Sequence, residues 1–234
     1  CPAANDTLVA RAAQRGEPVS RAVCRARDLV NEPAAVMTPR KMAEVAQSLA
    51  KEFELEIEIL GPDKCRQLGM GMFLAVGQGS VEELRFIHLA YKPAGAKKRV
   101  CLVGKGVTFD SGGLSLKPTA AMESMKIDMA GAAAVLSAMG ALAALKVPHE
   151  VHALAACVEN MPSGSSYKLG DVLRAMNGKT VEINNTDAEG RLALGDALCF
   201  ANTLKPDEII DFATLTGACM VALGPHISGV MANN

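Results

Sequence analysis

An eight-residue segment, Asn-Thr-Asp-Ala-Glu-Gly-Arg-Leu at 185–192, constrains the fold of this chain more than any other stretch. The five residues before it have the composition of a short strand. After it, apolar residues recur at i, i+3, i+4 and i+7 from Leu194, which is the spacing of one helix face. The segment is therefore predicted to form the turn from a strand's carboxyl end into a helix, with Asp187, Glu189 and Arg191 on it. In open α/β sheets, ligands bind at that edge.

The same residues also permit a purely structural interpretation. Thr186 and Glu189 have the spacing of a capping box, in which two side chains satisfy backbone N–H groups at the start of a helix. Asp187 would add a favourable negative charge to a helix N-terminus. The segment alone does not separate capping from chemistry, so the choice depends on the rest of the chain.

Composition limits the function classes. The 234 residues carry 24 basic and 25 acidic side chains, so no basic excess indicates binding to nucleic acid or to an anionic membrane. No Trp, two Tyr and six Phe are too few for a base-stacking platform or a carbohydrate groove. Seven cysteines without a C-x-x-C pair indicate buried free thiols in a reducing compartment, which predicts a cytoplasmic protein. We find no apolar run of transmembrane length and no secretory signal, and predict no membrane association.

Hydrophobic patterning predicts an α/β fold with a mostly parallel central β-sheet flanked by helices, in a single domain spanning residues 1–234. After Arg99, residues 100–104 are wholly apolar, as expected for a strand in the middle of a parallel sheet. Predicted strands cover 54–59, 85–91, 99–104, 150–158, 180–184 and 208–213. Predicted helices cover 1–31 with a break near Gly16 and Pro18, a segment starting at Thr38-Pro39, 62–69, 122–145, 170–177 and a short stretch ending at Gly224.

Polar residues follow three of the predicted strands. Lys105 and Asp110 lie in a Gly-rich loop after the apolar strand, Asp187 and Glu189 follow the fifth strand, and residues 214–217 follow the last one. Asp128 lies near the start of the intervening helix. Carboxylates crowded into one crevice repel each other unless cations lie between them. Hard oxygen donors suit Mg, Mn or Zn, and shared carboxylates suit two metal ions about 3–4 Å apart.

The chain resembles the leucyl (cytosol) aminopeptidase family, which consists of di-metal exopeptidases. Three motifs carry the resemblance in the right order: Gly104–Gly113 (GKGVTFDSGG), Met125–Ala133 (MKIDMAGAA) and Asn185–Leu192 (NTDAEGRL). The octapeptide is highly specific, and the similarity extends from about Leu29 to the end of the chain. The resemblance implies a di-metal site at the carboxyl ends of the strands.

The resemblance also implies the metal ligands. Asp110, Asp187 and Glu189 correspond to the ligands of one readily exchanged ion. Lys105, Asp110, Asp128 and Glu189 correspond to those of the second, so that Asp110 and Glu189 are shared. The expected cofactors are two divalent ions per subunit, zinc or manganese, with magnesium and cobalt as further candidates.

Lys117 and Arg191 correspond to two catalytic positive charges that are not ligands. The resemblance implies that Arg191 holds a small anion such as bicarbonate, which relays the proton of the attacking water, and that Lys117 stabilises the oxyanion. The family's hydrophobic side-chain pocket corresponds to Met125, Asn185, Thr214 and Gly217. An ordinary core position is the competing interpretation of Met125.

The implied function is release of N-terminal leucine or other apolar residues from peptides with a free N-terminus, by a homo-hexamer. Family members carry an additional N-terminal domain and continue past Asn234, so we expect a catalytic domain truncated at its C-terminus. Two alternatives remain, a metal-dependent phosphoesterase and a DNA-binding role known in some bacterial relatives, although the near-neutral charge does not favour nucleic acid. His149 and His152 are one residue too close for the zincin motif H-E-x-x-H.

Overall fold

A computed structural model of the chain describes residues 6–233, and a five-stranded sheet lies at its centre. The strands in chain order are β1 (Glu56–Leu60), β2 (Arg85–Tyr91), β3 (Arg99–Asp110), β4 (Glu150–Asn160), β5 (Val172–Arg174), β6 (Thr180–Glu182) and β7 (Glu208–Phe212). The helices are α1 (Asp6–Asn31), α2 (Pro39–Phe53), α3 (Pro62–Gln67), α4 (Gly71–Gly77), α5 (Thr119–Met122), α6 (Ala130–Ala144), α7 (Glu189–Thr203) and α8 (Ala218–Leu223). Single 3-10 turns cover Met125–Ile127 and Thr186–Ala188.

The central sheet has the order β1-β2-β4-β3-β7. Strand β3 runs parallel to both β4 and β7, whereas β2 is antiparallel to β1 and β4. Four of the five strands therefore point the same way, and the prediction of a mostly parallel α/β sheet is confirmed. Parallel neighbours need crossover connections, which α6 supplies between β3 and β4, and α7 supplies on the way to β7.

Helices cover both faces of the sheet. On one face α2 and α6 bury an apolar cluster that includes Met42 and Leu136, and α1 packs against α6. On the other face α4 and α7 bury a cluster that includes Phe73 and Phe86. Helix α6 lies very close to β3. A Cβ added to Gly104 would come within 2.6 Å of the Ala132 backbone, so only glycine fits there. The many Ala and Gly residues of α6 allow this close approach.

Two predicted elements were wrong, and a third, a strand as predicted, lies outside the central sheet. The helix expected over 122–145 is broken into α5, a 3-10 turn and α6, and Asp128 lies in the break. Residues 170–177 contain β5 instead of a helix, because Gly170 and Gly178 adopt positive φ angles and turn the chain into a β5–β6 hairpin. The strand predicted at 180–184 therefore belongs to this hairpin and lies outside the central sheet.

Helix α1 continues through Pro18 without the predicted break. A proline in a helix removes one backbone hydrogen bond, and the turns on either side remain helical here. Residues 1–5 of the predicted helix lie outside the described part of the chain. The start of α2 matches its prediction, since Thr38 is the N-cap, its hydroxyl accepts from the Lys41 N–H at 3.3 Å, and Pro39 takes the first helical position.

One stretch, Thr119–Ala144, is apolar enough to cross a membrane by length and composition alone, with a mean hydropathy of 1.6 in its most apolar window. The prediction that no run reaches that length was wrong by this measure. In the structure the stretch is interrupted at Asp128, and α6 packs against α1, α2 and the sheet. Buried core helices pass the same test. The six cysteines in the described residues are free thiols, as expected, but of these Cys65, Cys101 and Cys157 are buried, whereas Cys24 is exposed and Cys199 and Cys219 are half-buried.

Two histidines, His88 and His152, form a hydrogen-bonded relay with Glu150 at the amino end of β4. His152 contacts the Glu150 carboxylate through Nε2 at 2.9 Å, and its Nδ1 lies 2.8 Å from His88 Nε2. Because a carboxylate only accepts, His152 donates from Nε2 and accepts at Nδ1 from His88. Arg99 holds Glu150 with its Nε 3.0 Å from Oε1. Burial, followed by the charge of His152, lowers the pKa of His88 to about 4.

The lowered pKa of His88 in this relay predicts that the folded protein loses stability in acid. Above the ordinary histidine pKa of about 6.5, His88 is neutral in both the folded and unfolded states. As the pH falls from there toward 4, the unfolded chain takes up a proton first, so the folded state loses stability. His88→Gln keeps an N–H donor without the titration. We expect the drop in urea midpoint between pH 7 and pH 5 to be smaller in His88→Gln than in the wild type.

The control for this experiment is His226→Gln, which changes an exposed histidine near the C-terminal end. It should show the same acid-induced drop as the wild type. An equal drop in all three proteins would contradict the assignment of the acid sensitivity to His88.

Candidate metal centre

A β-bulge places Lys105 and Asp110 on one face of the sheet. The two residues are five apart in β3, a spacing that puts side chains on opposite faces of a regular strand. The register between β3 and β4 shifts between Val107 and Phe109, so Thr108 is an extra residue. Both functional side chains consequently face α7. Bulges of this kind are not readable from hydrophobic patterning, and the predicted strand ended at residue 104.

The first cluster centres on the buried ammonium group of Lys105. Its Nζ lies 2.7 Å from Asp128 Oδ2 and 2.9 Å from Glu189 Oε1, and it donates to the Thr214 carbonyl oxygen at 3.0 Å. The Thr214 hydroxyl donates to Asp128 Oδ1 at 2.7 Å. Strand β7 pairs with β3 only as far as Gly104. Asp128, which precedes α6 on the opposite face, therefore meets Lys105 just beyond the end of β7.

The second cluster centres on Lys117. Its Nζ lies 2.9 Å from Asp110 Oδ2 and 2.5 Å from Asp187 Oδ1. The Gly-rich loop after β3 folds back to bring Lys117 there, since the Lys117 N–H donates to the Ser111 carbonyl at 2.9 Å. Gly112 and Gly113 in this loop both have positive φ angles, which glycine adopts without steric cost.

The two clusters meet at three carboxylates. Asp110, Asp187 and Glu189 each offer one oxygen, and these atoms lie within 4.8 Å of one another. Glu189 Oε2 is buried and has no hydrogen-bond partner among the described residues. Across both clusters four carboxylates face two ammonium groups. A buried deficit of positive charge and an unpartnered carboxylate oxygen are what a site for a divalent cation requires, so these residues fit a metal ion.

The pKa shifts follow from burial and charge together. Burial raises the pKa of Asp128 to about 7, against the opposing attraction of Lys105. Burial lowers the pKa of Lys105, but the nearby charges of Glu189 and Asp128 outweigh it, and the net shift is upward. The pKa of Lys117 is also raised, because its hydrogen bonds to Asp187 and Asp110 outweigh the cost of burial. Both lysines are therefore charged when no metal ion is bound.

The capping-box interpretation of Thr186 and Glu189 is wrong. The Thr186 hydroxyl donates to the Gly112 carbonyl at 2.7 Å and accepts from the Ser115 N–H at 2.8 Å. Glu189 points to Lys105. The 3-10 turn before α7 is capped by Asn185, whose side chain accepts from the Asp187 N–H at 2.8 Å. Thr186 thus joins two loops, and Glu189 is free of any capping role.

The remaining predicted site residues lie around these clusters. Arg191 is exposed in the first turn of α7 and has no ion pair within residues 6–233. Met125 is half-buried in the 3-10 turn three residues before Asp128, and Gly217 is the exposed N-cap of α8. Asn185 and Thr214 are exposed, with the side-chain contacts given above. Asp187 and Glu189 follow the β5–β6 hairpin. The sequence had predicted that they follow a strand of the central sheet.

Sequence reasoning missed two residues of this region. Asn160, the last residue of β4, donates to Asp110 Oδ1 at 2.9 Å, and the Tyr167 hydroxyl donates to the Thr186 carbonyl at 2.7 Å. The available signal was the position of Asn160 at the carboxyl end of the strand beside β3, where ligand-binding residues collect. His152 belongs to the relay at the other end of β4 and takes no part in the metal centre.

The fold and the centre define an α/β protein with a carboxylate cluster that fits a metal ion at the carboxyl edge of a mostly parallel sheet. Residues 24–234 match the profile of the cytosol aminopeptidase family, catalytic domain. The chain belongs to this family. Among its relatives, a "Probable cytosol aminopeptidase" of Persephonella marina is 54% identical over 208 residues, covering 89% of this chain and 42% of that protein.

A second relative of the same name, from Roseiflexus castenholzii, is 53% identical over 226 residues, covering 96% of this chain and 46% of the relative. A third, from Aquifex aeolicus, is 54% identical over 209 residues, covering 89% of this chain and 42% of the relative. The chain thus spans less than half the length of these curated relatives.

Gly190 sets the position of Lys105, which gives a direct test of the first cluster. A Cβ on Gly190 would lie 2.5 Å from Lys105 Cε and 2.8 Å from Nζ. These atoms end a flexible side chain, so Gly190→Ala should fold while displacing the ammonium from between Asp128 and Glu189. We expect lower zinc content after dialysis against limiting Zn²⁺, measured by elemental analysis.

Gly195→Ala is the matched control, since it lies in the same helix and its Cβ would meet only the flexible end of Met72. Both substitutions should raise helix propensity by about 0.5–1 kcal/mol. Equal zinc content in the two variants would show that Lys105 does not contribute to the metal centre.

Proposed function

We propose that this chain is the catalytic part of a metal-dependent aminopeptidase that releases N-terminal residues from peptides. The observation that carries the proposal is the convergence of Asp110, Asp187 and Glu189. These carboxylates lie beside a second buried cluster, in a chain that belongs to the cytosol aminopeptidase family. The relatives bear the name cytosol aminopeptidase, and we infer the same activity and a cytoplasmic location here.

Two divalent ions, zinc or manganese, would be held by this centre. Asp110, Asp187 and Glu189 would hold one ion, and Lys105, Asp110, Asp128 and Glu189 the other. Magnesium and cobalt are further candidates for the same donors. When bound, the ions supply Lewis acidity toward the scissile carbonyl and lower the pKa of the attacking water. A site that also receives the substrate's free amine would restrict cleavage to N-termini.

The two positive side chains that are not ligands have separate tasks. Lys117 is charged in the metal-free protein, because burial lowers its pKa less than its hydrogen bonds to Asp187 and Asp110 raise it. We assign it the role of stabilising the oxyanion that develops on the substrate. Arg191 is exposed and has no ion pair among the described residues, so it is available for a small anion such as bicarbonate. That anion would take the proton of the attacking water.

Apolar N-terminal residues such as leucine or methionine are the proposed substrates. The pocket would be lined by Met125, Asn185, Thr214 and Gly217, a set without a charged side chain. Burial of a leucine side chain is worth about 1.5–3 kcal/mol, enough for about a ten- to hundredfold preference over glycine. The proposed working form of the whole protein is a homo-hexamer.

The activity is tested with the two isosteric variants Asp187→Asn and Glu189→Gln. Each removes a carboxylate charge without changing the shape of the turn, so the folded structure should persist while turnover of leucine-anilide falls to background. The same assays with an aryl phosphate measure the competing phosphoesterase activity. Circular dichroism verifies the fold of each variant.

Asp63→Asn, which changes an exposed carboxylate on α3, is the matched control and should retain full activity. Full activity in Glu189→Gln would contradict a role in the reaction. Turnover of the phosphate ester without turnover of the anilide would favour the alternative enzyme class.

The two lysines are expected to behave differently on metal binding. Only a neutral amine has a lone pair for a metal ion, so Lys105 must release its proton when the second ion binds. Lys105→Ala should weaken zinc binding and reduce the number of protons released. Lys117→Ala should bind zinc at least as well as the wild type, yet lose about 10²–10³ in kcat.

Isothermal titration calorimetry in two buffers with different ionisation enthalpies counts the released protons and gives the zinc affinity. Steady-state kinetics on leucine-anilide gives kcat. If the two variants bind zinc equally and release equal numbers of protons, this division of roles is wrong.

A further inference from the structure

We infer that Asn160 is a positioning residue of the metal centre, which fixes Asp110 as a one-oxygen ligand and holds Asp187 in register with it. The inference rests on the proposed function, because it concerns how this chain prepares its ligands for a metal ion. Asn160 is the last residue of β4 and is fully buried. It pairs directly with Asp110 at the end of the parallel β3–β4 ladder.

The Asn160 side-chain amide donates two hydrogen bonds to residues of the centre. Nδ2 donates to Asp110 Oδ1 at 2.9 Å and to the Thr186 carbonyl at 3.0 Å. This orientation of the amide is unambiguous, because a flipped group would point its oxygen at two acceptors. A single side chain therefore joins the loop after β3 to the turn before α7.

The first of these bonds determines which oxygen of Asp110 is available. Oδ1 also accepts from the Gly112 N–H at 2.9 Å, so two hydrogen bonds occupy that atom. Oδ2 is left facing the centre, where Lys117 contacts it at 2.9 Å. Without the Asn160 donor, the carboxylate could rotate and present either oxygen. Restricting it in advance reduces the entropy lost when a metal ion binds.

The second bond acts on the turn that carries Asp187. The Thr186 carbonyl, one residue before Asp187, accepts from Asn160 and from the Tyr167 hydroxyl at 2.7 Å. The backbone of Asn160 adds to this coupling, since its carbonyl accepts from Ser111 N at 3.0 Å and Ser111 Oγ at 2.7 Å. Two loops that are distant in sequence are thereby fixed to the end of one strand.

Burial of this amide is costly unless it has a specific use. Asn160 Oδ1 is buried and has no hydrogen-bond partner among the described residues, and such a group costs about 1–3 kcal/mol. An apolar side chain of similar size would avoid that cost. The amide is explained by the two acceptors it serves. Groups that orient metal ligands in this way typically change metal affinity by about 10–100-fold when they are mutated.

The test compares Asn160→Leu with Tyr167→Phe in the intact protein. Asn160→Leu removes both donors at similar volume, while Asp110 Oδ1 keeps the Gly112 N–H and the Thr186 carbonyl keeps Tyr167. Tyr167→Phe removes the other donor to the same carbonyl and leaves Asp110 untouched. Zn²⁺ affinity is measured by competition with a chromogenic chelator, and thermal unfolding of the metal-free proteins is measured in parallel.

We expect Asn160→Leu to bind Zn²⁺ about 10–100-fold more weakly than the wild type, and Tyr167→Phe to stay within about threefold of it. If Asn160→Leu does not fold, Asn160→Ala is held to the same criterion. Wild-type affinity in a folded Asn160 variant with only a lowered thermal midpoint would show a merely structural role and overturn the inference. Equal weakening in both variants would also overturn it, since Asp110 would then not be the residue affected. A wild-type protein that binds no Zn²⁺ would overturn the proposed function as well.

Discussion

The ammonium group of Lys105 is the interaction on which the carboxyl edge of this protein depends. It lies buried between Asp128 and Glu189, at 2.7 and 2.9 Å. These two carboxylates precede or begin α6 and α7, which pack on opposite faces of the sheet. Without the ammonium, two buried negative charges would face each other with no compensation. Lys105 thus links the two helical layers across β3, beside the carboxylates that fit a metal ion.

Three irregularities of the fold bring side chains together at this edge. The bulge at Thr108 rotates Asp110 onto the face that already carries Lys105, and the break before α6 frees Asp128 from regular helix. The early end of β7 leaves room for Asp128 to reach Lys105 beside the strand. A regular sheet with unbroken helices would separate these side chains. Strand and helix irregularities are tolerated where, as here, side-chain contacts compensate for the lost backbone regularity.

The two ends of β4 differ in the balance of positive and negative charge around them. At its start, the negative charge of Glu150 pairs with the positive charge of Arg99, and His88 and His152 are neutral. The charges there are therefore matched within the described residues. At its end, Asn160 contributes no charge to a region where carboxylates outnumber ammonium groups. Of the two ends of β4, the carboxyl end is therefore the one with unbalanced negative charge. This asymmetry, together with membership of the cytosol aminopeptidase family, supports metal binding at that edge.

The sequence by itself determined the fold class, the positions of most strands and the residue types of the centre, because hydrophobic periodicity and the Asn185–Leu192 motif are local properties. It did not determine that Thr186 joins two loops instead of capping a helix, nor that 170–177 form part of a hairpin, since both depend on partners distant in the chain. It also left out Asn160. The role of that residue arises only when the bulge in β3 and the end of β4 bring its amide against Asp110 and Thr186. Pairwise contacts between separate strands and loops carry no periodic signal, so only the tertiary structure decided them.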